Sequence, residues 1–225
     1  MKVYYMVVKK VAQCCVRLIF ITFCFYIIGC AHTPELVEQK FNTEVEYLGM
    51  KKMPLRVAMV LPEEVEYYVI KSKPVGGSEV PHLFSLGKAL MNISKNIFSQ
   101  VFEELQVVRE SPDFKSYNFA IEPKITDFQF GYKGVECWSK ISVAIKVYND
   151  TKTIWTRNIE SPVVKQATYS ASGKFRDPYA ATGTVASDAI KAVFKTAVSQ
   201  IVILGDIKKI SENVKMRKAK DSDFE

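Results

Sequence analysis

Histidine is scarce in this chain, which has only His32 and His82 among its 225 residues. A catalytic group of the Ser–His–Asp or Cys–His type would therefore have to use His82. No Gly-x-Ser-x-Gly nucleophile motif accompanies either histidine. The sequence thus predicts no catalytic residue and argues against an enzyme.

Clustered metal ligands are also missing from the sequence. Zinc sites need Cys, His or carboxylate side chains that converge on one ion. The tightest acidic group is Glu63, Glu64 and Glu66, which is more typical of a solvated loop. Gly76-Gly77 is not followed by the Lys-Ser/Thr pair of a phosphate-binding loop. We therefore predict neither a metal nor a dissociable cofactor.

The chain lacks an apolar run long enough to span a bilayer. Residues 18–28 are apolar except for Thr22, whereas a membrane helix needs about 20 apolar residues. Four basic residues precede or begin this run, and no acidic residue occurs before Glu35. This pattern is typical of a secretory signal over residues 1–29. An uncleaved signal anchor, lengthened by the apolar residues 3–8, is the alternative.

The run ends in Ile27-Ile28-Gly29-Cys30, which resembles the lipobox of bacterial lipoproteins. The resemblance implies cleavage between Gly29 and Cys30, a diacylglycerol on the thiol of Cys30 and acylation of its new amino group. More than one acyl chain is needed for stable anchoring, which suits a protein with no other membrane segment. Ala31 follows the cysteine where inner-membrane lipoproteins commonly carry Asp, so the resemblance implies an outer-membrane protein that faces the periplasm.

Removal of the leader changes the charge and cysteine content. The mature chain keeps 27 basic and 24 acidic residues, a balance of +3 that does not favour nucleic-acid binding. Cys137 becomes the only thiol without a lipid, so no intrachain disulfide is possible. We interpret Cys137 as a buried structural thiol, with an intermolecular bridge as the alternative.

Four segments have the apolar pattern of strands. Residues 55–61 form a short buried run, and residues 119–132, 138–149 and 153–159 follow as a meander. The third of these is the clearest, because Ile141, Val143, Ile145 and Val147 alternate with polar or small residues. Residues 149–152 suit a hairpin turn.

Two segments have helical spacing. Apolar residues recur every three or four positions over residues 86–105, which predicts a helix of about five turns with Ser85 as its N-cap. A second, alanine-rich helix is predicted over residues 185–204. Residues 161–183 between the meander and this helix predict a long loop, either functional or partly disordered.

These segments predict an α+β fold in the order strand-helix-strand-strand-strand-helix. A four-stranded, mainly antiparallel sheet with both helices on one face would bury every apolar stripe. The predicted boundaries are a tether over residues 30–53, one domain over residues 54–205 and a charged mobile tail over residues 206–225.

With its lipobox and this element order, the chain is similar to small lipoproteins of the YajG and LptE kind. The resemblance covers Cys30 and roughly residues 54–204. It implies a non-catalytic accessory or assembly subunit of an envelope transport or secretion complex. A periplasmic carrier of a lipid or another apolar ligand is the alternative function.

The predicted partner surface lies in the long loop before the second helix. Tyrosine offers contact area at low entropic cost and is common at interfaces. The proposed contact residues are Tyr169, Lys174, Phe175, Arg176 and Tyr179. The alternative is that these side chains merely cover the edge of the sheet.

Overall fold

The computed structural model describes residues 37–75, 80–168 and 178–222. Within these residues it contains nine strands and four helices. The strands are β1 (Val37–Glu38), β2 (Met53–Val60), β3 (Ile70–Ser72), β4 (His82–Phe84), β5 (Phe102–Val108), β6 (Phe119–Lys133), β7 (Glu136–Tyr148), β8 (Thr153–Glu160) and β9 (Val164–Ala167). The helices are α1 (Glu63–Glu66), α2 (Leu86–Phe98), α3 (Pro178–Ile201) and α4 (Gly205–Ser222).

The main sheet has six strands in the order β5-β2-β6-β7-β8, with β9 also paired to β7. Strand β2 is parallel to both β5 and β6, and every pairing of β7 is antiparallel. The prediction of an α+β fold with a mainly antiparallel sheet is confirmed. The predicted count of four strands and the predicted element order are wrong.

One missing strand is β5, which the sequence assigned to the end of a long helix. Helix α2 ends at Phe98, and the chain turns at Ser99 into β5, which pairs along β2 from Met53 to Val60. The apolar spacing continues through the turn because Val101 and Phe102 are buried against the same core as the helix. Ser85 does precede α2, but its side chain makes no capping hydrogen bond.

The β6–β7 hairpin is the longest pairing in the fold. A register shift between Ile125 and Asp127 marks a β-bulge at Thr126. The extra residue shifts by one position which side chains of β6 face the core. Ile125 before the bulge and Phe128 after it therefore both pack into the core. In a strand without a bulge, these two residues would lie on opposite faces.

One apolar core joins the sheet to the helices. Helices α2, α3 and α4 contribute side chains to the same cluster as Leu55, Val57 and Met59 of β2. The alternating residues 141, 143, 145 and 147 of β7 are fully buried in it. The other face of β2 carries a small cluster of Ala58, Val60 and Ala120.

The described part of the predicted tether belongs to the domain. Strand β1 pairs with β4 in a separate three-stranded sheet of order β1-β4-β3, and Gln39 is buried. Phe41, Val45 and Leu48 then pack against the main core. A β-carbon on Gly183 of α3 would collide with the carbonyl oxygen of Lys40, so glycine is required for this approach. The domain therefore begins well before residue 54.

The described part of the predicted mobile tail is helical. Ile207 of α4 is fully buried, and Ile210 and Val214 pack against the same core. The Lys152 ammonium lies 3.0 Å from an Asp206 carboxylate oxygen at the start of this helix. Residues 161–183 are likewise not one loop, because they contain β9 and the first turn of α3.

Candidate interaction surface

Most of the predicted functional residues lie outside the described part of the chain. This applies to Gly29, Cys30, Tyr169, Lys174, Phe175 and Arg176. The backbone of Tyr179 lies in the first turn of α3, but its side chain is not described. Lipidation at Cys30 and the partner surface in this loop stay predictions.

An aromatic cluster packs the small sheet onto the end of β6. It consists of His82 and Phe84 from β4 with Phe128, Phe130 and Tyr132 from β6. The ring centroid of Phe84 lies 4.8 Å from that of Phe128 and 4.6 Å from that of Phe130. His82 lies 5.0 Å from Phe130 and 6.1 Å from Tyr132. These rings fill the junction between the two sheets.

His82 is fully buried in this cluster, whereas the sequence placed it in a proline-flanked loop. Burial disfavours the imidazolium and lowers the pKa of His82. Within the described residues, no three His, Cys, Asp or Glu side chains are arranged to hold a metal ion. The aromatic rings around His82 place it in the packed junction between the two sheets.

Acid should destabilise the protein through His82. The pKa of an unfolded histidine is about 6.5, so the unfolded chain binds the proton more tightly than the folded one. The contribution of neutral His82 to the free energy of unfolding is fully present above about pH 6.5. It is lost as the pH falls from about 6.5 toward the lowered pKa of the folded state. Urea unfolding of wild type should therefore lose stability between pH 7 and pH 5, and His82→Phe should lose less. Equal losses in the two proteins would contradict this role.

The N-terminus of α3 is joined to the β6–β7 hairpin. The hydroxyl oxygens of Tyr132 and Thr182 lie 2.8 Å apart. Cys137 packs with Ala181 and Val185 and is fully buried, as predicted. Burial raises the pKa of its thiol, which also donates to the carbonyl oxygen of Gln166 at 3.4 Å. A buried, protonated thiol is unreactive and disfavours an intermolecular disulfide.

The turn of the β6–β7 hairpin is exposed. Gly134 has a φ of +60°, a conformation that favours glycine, and Val135 beside it is 55% exposed. Val75, which is 62% exposed, hydrogen-bonds to β6 just before this turn. Its amide donates to the carbonyl of Phe130 at 3.1 Å, and its carbonyl accepts from the amide of Tyr132 at 3.0 Å. Two exposed valines therefore lie at one end of the main sheet.

Two polar grooves lie on the surface of the described residues. The larger has a volume of about 630 Å³, between residues 42–46 and α3. The second, about 430 Å³, follows β2 and β5. Charged residues in the lining of the larger groove are Glu44, Glu46, Asp188, Lys191 and Lys195. Neither groove offers an enclosed apolar space for an acyl chain.

Exposed tyrosines also occur near α1. Tyr67 and Tyr68 are 52% and 39% exposed. The guanidinium of Arg109 lies 6.0 Å from the ring centroid of Tyr67 and makes an ion pair of 2.8 Å with Glu66. Tyr132, in contrast, is half-buried in the aromatic cluster.

Comparison with solved structures identifies a shared fold. A Xanthomonas campestris protein of the DUF330 family aligns with a TM-score of 0.51 at 12% identity, over 78% of this chain and 98% of its own. At that identity the similarity establishes the fold alone. No protein-family model matches the sequence. No curated protein matches it either.

Two other bacterial structures resemble the chain less closely. A Helicobacter pylori protein, provisionally described as a neuraminyllactose-binding hemagglutinin homolog, aligns with a TM-score of 0.42 at 10% identity. It covers 80% of this chain and 100% of its own. A Caulobacter crescentus protein, provisionally described as a lipoprotein, aligns over 64% of this chain and 86% of its own, with a TM-score of 0.31 at 10% identity. Among the described residues of the present chain, no helix has the length and apolarity to cross a membrane.

Proposed function

We propose that this protein is a lipoprotein anchored through Cys30 in the outer membrane and facing the periplasm. It acts there as a non-catalytic accessory or assembly subunit of an envelope transport or secretion complex. The observation that carries the proposal is the sequence Ile27-Ile28-Gly29-Cys30 after a short apolar leader. The lipid fixes the protein at the membrane, and the folded domain meets the partner.

The packing of the domain supports binding of a protein over carriage of a lipid. A lipid carrier needs an apolar cavity large enough for an acyl chain. Between helices and sheet, the side chains of Ile93, Phe98, Phe102 and Phe194 are fully buried in one continuous cluster. The two surface grooves are lined mainly by polar and charged residues. A carrier remains the alternative that an experiment has to exclude.

The chemistry of the described residues supports a non-catalytic role. His82 is enclosed by aromatic rings, and Cys137 is a buried thiol with a raised pKa. Exposed ion pairs such as Arg56–Glu104 at 3.0 Å occur elsewhere on the described surface. Such pairs contribute little to stability and are ordinary features of a surface.

The proposed partner surface is the loop with Tyr169, Lys174, Phe175, Arg176 and Tyr179. It follows β9 and leads into α3, whose N-terminus is held against the β6–β7 hairpin by the Tyr132–Thr182 contact.

A photocrosslinking residue at Phe175 tests the proposal in native envelopes. We expect one stoichiometric protein partner in wild type and its loss in Cys30→Ala, because the unanchored protein no longer concentrates at the membrane. Cys137→Ala is the matched cysteine control and should keep the partner. A crosslinker at Lys209, which is exposed on α4, controls for nonspecific capture.

Three results would contradict parts of the proposal. Equal capture from Phe175 and Lys209 would exclude the loop as the binding surface. If Cys30→Ala were released from the membrane but kept its partner, the lipid anchor would not be needed for binding the partner. Recovery of bound lipid and no protein partner would favour the carrier.

A further inference from the structure

The chain length after Cys30 restricts how far the domain can lie from its anchor. Val37, the first residue of β1, is the seventh residue after Cys30. A fully extended chain of that length spans at most about 25 Å. Any lipid on Cys30 therefore keeps β1 within roughly this distance of the membrane surface.

Strand β1 enters the domain close to the exposed turn of the β6–β7 hairpin. Val37 pairs with His82 of β4. The ring of His82 lies 6.1 Å from that of Tyr132, which pairs with Cys137 immediately behind the turn. The short connection to Cys30 thus starts at the same end of the molecule as the turn.

This end carries a patch that we call the hairpin tip: Val75, Lys133, Gly134 and Val135. All three side chains are exposed, and the two valines are 62% and 55% exposed. Apolar side chains at the point of a protruding turn can enter the boundary between lipid headgroups and acyl chains. No described strand or helix covers them.

Basic side chains flank the valines. Lys73 and Lys165 are exposed on either side of the hairpin tip, in addition to Lys133 within it. The nearby acids are Glu136, half-buried and paired across the turn with Lys133, and Glu38, exposed on β1. These three lysines and two glutamates give a net charge of +1 around the hairpin tip. This charge favours contact with an anionic phospholipid surface.

We propose that the hairpin tip contacts the phospholipid surface that holds Cys30 and thereby orients the domain. This inference rests on the proposed lipid anchor. The acyl chains supply the affinity for the membrane, and the valines with their flanking lysines select which end of the domain faces it. Helix α3 then runs away from the membrane. Its first turns pack on Cys137 near the tip, and its 24 residues extend about 36 Å.

Fluorescence from two labelled variants tests this orientation. Val135→Cys places a label in the hairpin tip, and Ile203→Cys places it on an equally apolar, 65% exposed residue beyond the far end of α3. Cys137 is fully buried and Cys30 would carry the lipid, so each variant has one reactive thiol. The full chain, purified from membranes, is reconstituted into phosphatidylethanolamine–phosphatidylglycerol vesicles with a quencher on the acyl chains.

We expect a nitrobenzoxadiazole label at Val135 to shift to shorter emission wavelength and to be quenched several-fold more than the same label at Ile203. Adding Lys133→Glu should reduce quenching at Val135 in these vesicles, and replacing phosphatidylglycerol with phosphatidylcholine should do the same. Protein that floats with the vesicles but gives a water-like spectrum at Val135 would overturn the inference and leave the anchor intact.

Two other outcomes are distinguishable. Protein that does not float, with Cys30 itself labelled, would refute the lipid anchor on which the inference rests. Protection at Val135 that appears only at high protein density on the vesicle would mean that a second copy of the chain covers the hairpin tip, and would also overturn the inference.

Discussion

Phe84→Ala should lower the free energy of unfolding by about 3–5 kcal/mol, the usual cost of removing a buried phenylalanine ring. Phe84 is fully buried in β4, and its ring contacts Phe41, His82, Phe128 and Phe130. His82, Phe128 and Phe130 are held in β4 and β6, so these rings are poorly placed to fill the volume. Urea unfolding followed by circular dichroism measures the loss.

Two variants interpret that result. Phe84→Leu keeps most of the apolar volume and should cost clearly less. Tyr47→Ala removes an aromatic ring that is 79% exposed, so its effect should lie within about 0.5 kcal/mol of zero. A loss for Phe84→Ala no larger than that for Tyr47→Ala would mean that the small sheet is not packed on β6 as described.

The loss of the aromatic cluster should also release the N-terminal segment. Strand β1 is held by pairing with β4, and the backbone amide of Gln39 donates to the carbonyl oxygen of Leu83 at 2.9 Å. If β4 moves away from β6, residues 37–48 lose that support. Hydrogen exchange of the amides in this segment should therefore accelerate in Phe84→Ala more than in the β7 core.

Ile207→Ala should cost about 2–5 kcal/mol, because Ile207 is fully buried where α4 meets the core. The other anchors of this helix are weaker: Ile210 and Val214 are half-buried, and the Lys152–Asp206 pair is exposed at 3.0 Å. The matched control is Ile203, which is 65% exposed in the turn between α3 and α4. Ile203→Ala should change stability by less than about 0.5 kcal/mol.

Removing the Lys152–Asp206 ion pair shows how much of the stability of α4 comes from charge and how much from apolar packing. Lys152→Ala should cost at most about 1 kcal/mol, since an exposed pair is screened by solvent. If Ile207→Ala were as mild as Ile203→Ala, α4 would contribute nothing to the domain, and the sequence interpretation of residues 206–225 as a mobile tail would be correct after all.

Strands with strict alternation could be predicted from the sequence. In β7, residues 141, 143, 145 and 147 are apolar and their neighbours are polar or small, and all four are fully buried. The short apolar run of β2 and the alanine-rich helix α3 were predicted for the same reason. In each case the period is set by local geometry and needs no partner to be recognised.

Elements whose form depends on a distant partner could not be predicted. Strand β5 is extended because β2 offers it parallel hydrogen bonds, although its apolar spacing continues that of α2. Residues 37–48 look polar and aperiodic, yet Phe41 and Val45 find the core across α2 and α3. Helix α4 is strongly charged, and Ile207 with two half-buried neighbours is enough to fix it.

The two exposed surfaces differ in the same way, because one can be located in the sequence and the other depends on contacts between distant residues. The position of Tyr67 and Tyr68 in a loop or at the end of an element can be read from the sequence, and both are exposed. The hairpin tip was not found, since Val75 and Val135 lie 60 residues apart and only the pairing of Val75 with β6 brings them to one end.

The sequence by itself determined the alternating strands of the meander, and it predicts the leader, the lipid attachment at Cys30 and the lack of an intrachain disulfide in the mature chain. Each of these depends on residue type and spacing within a few positions or on the number of cysteines. Tertiary structure alone decided that His82 is an interior ring, that residues 37–53 and 205–222 belong to the domain, and that the hairpin tip lies where the chain enters. These features arise when apolar side chains from distant segments of the chain are buried against each other. The local sequence pattern does not indicate which segments will come into contact.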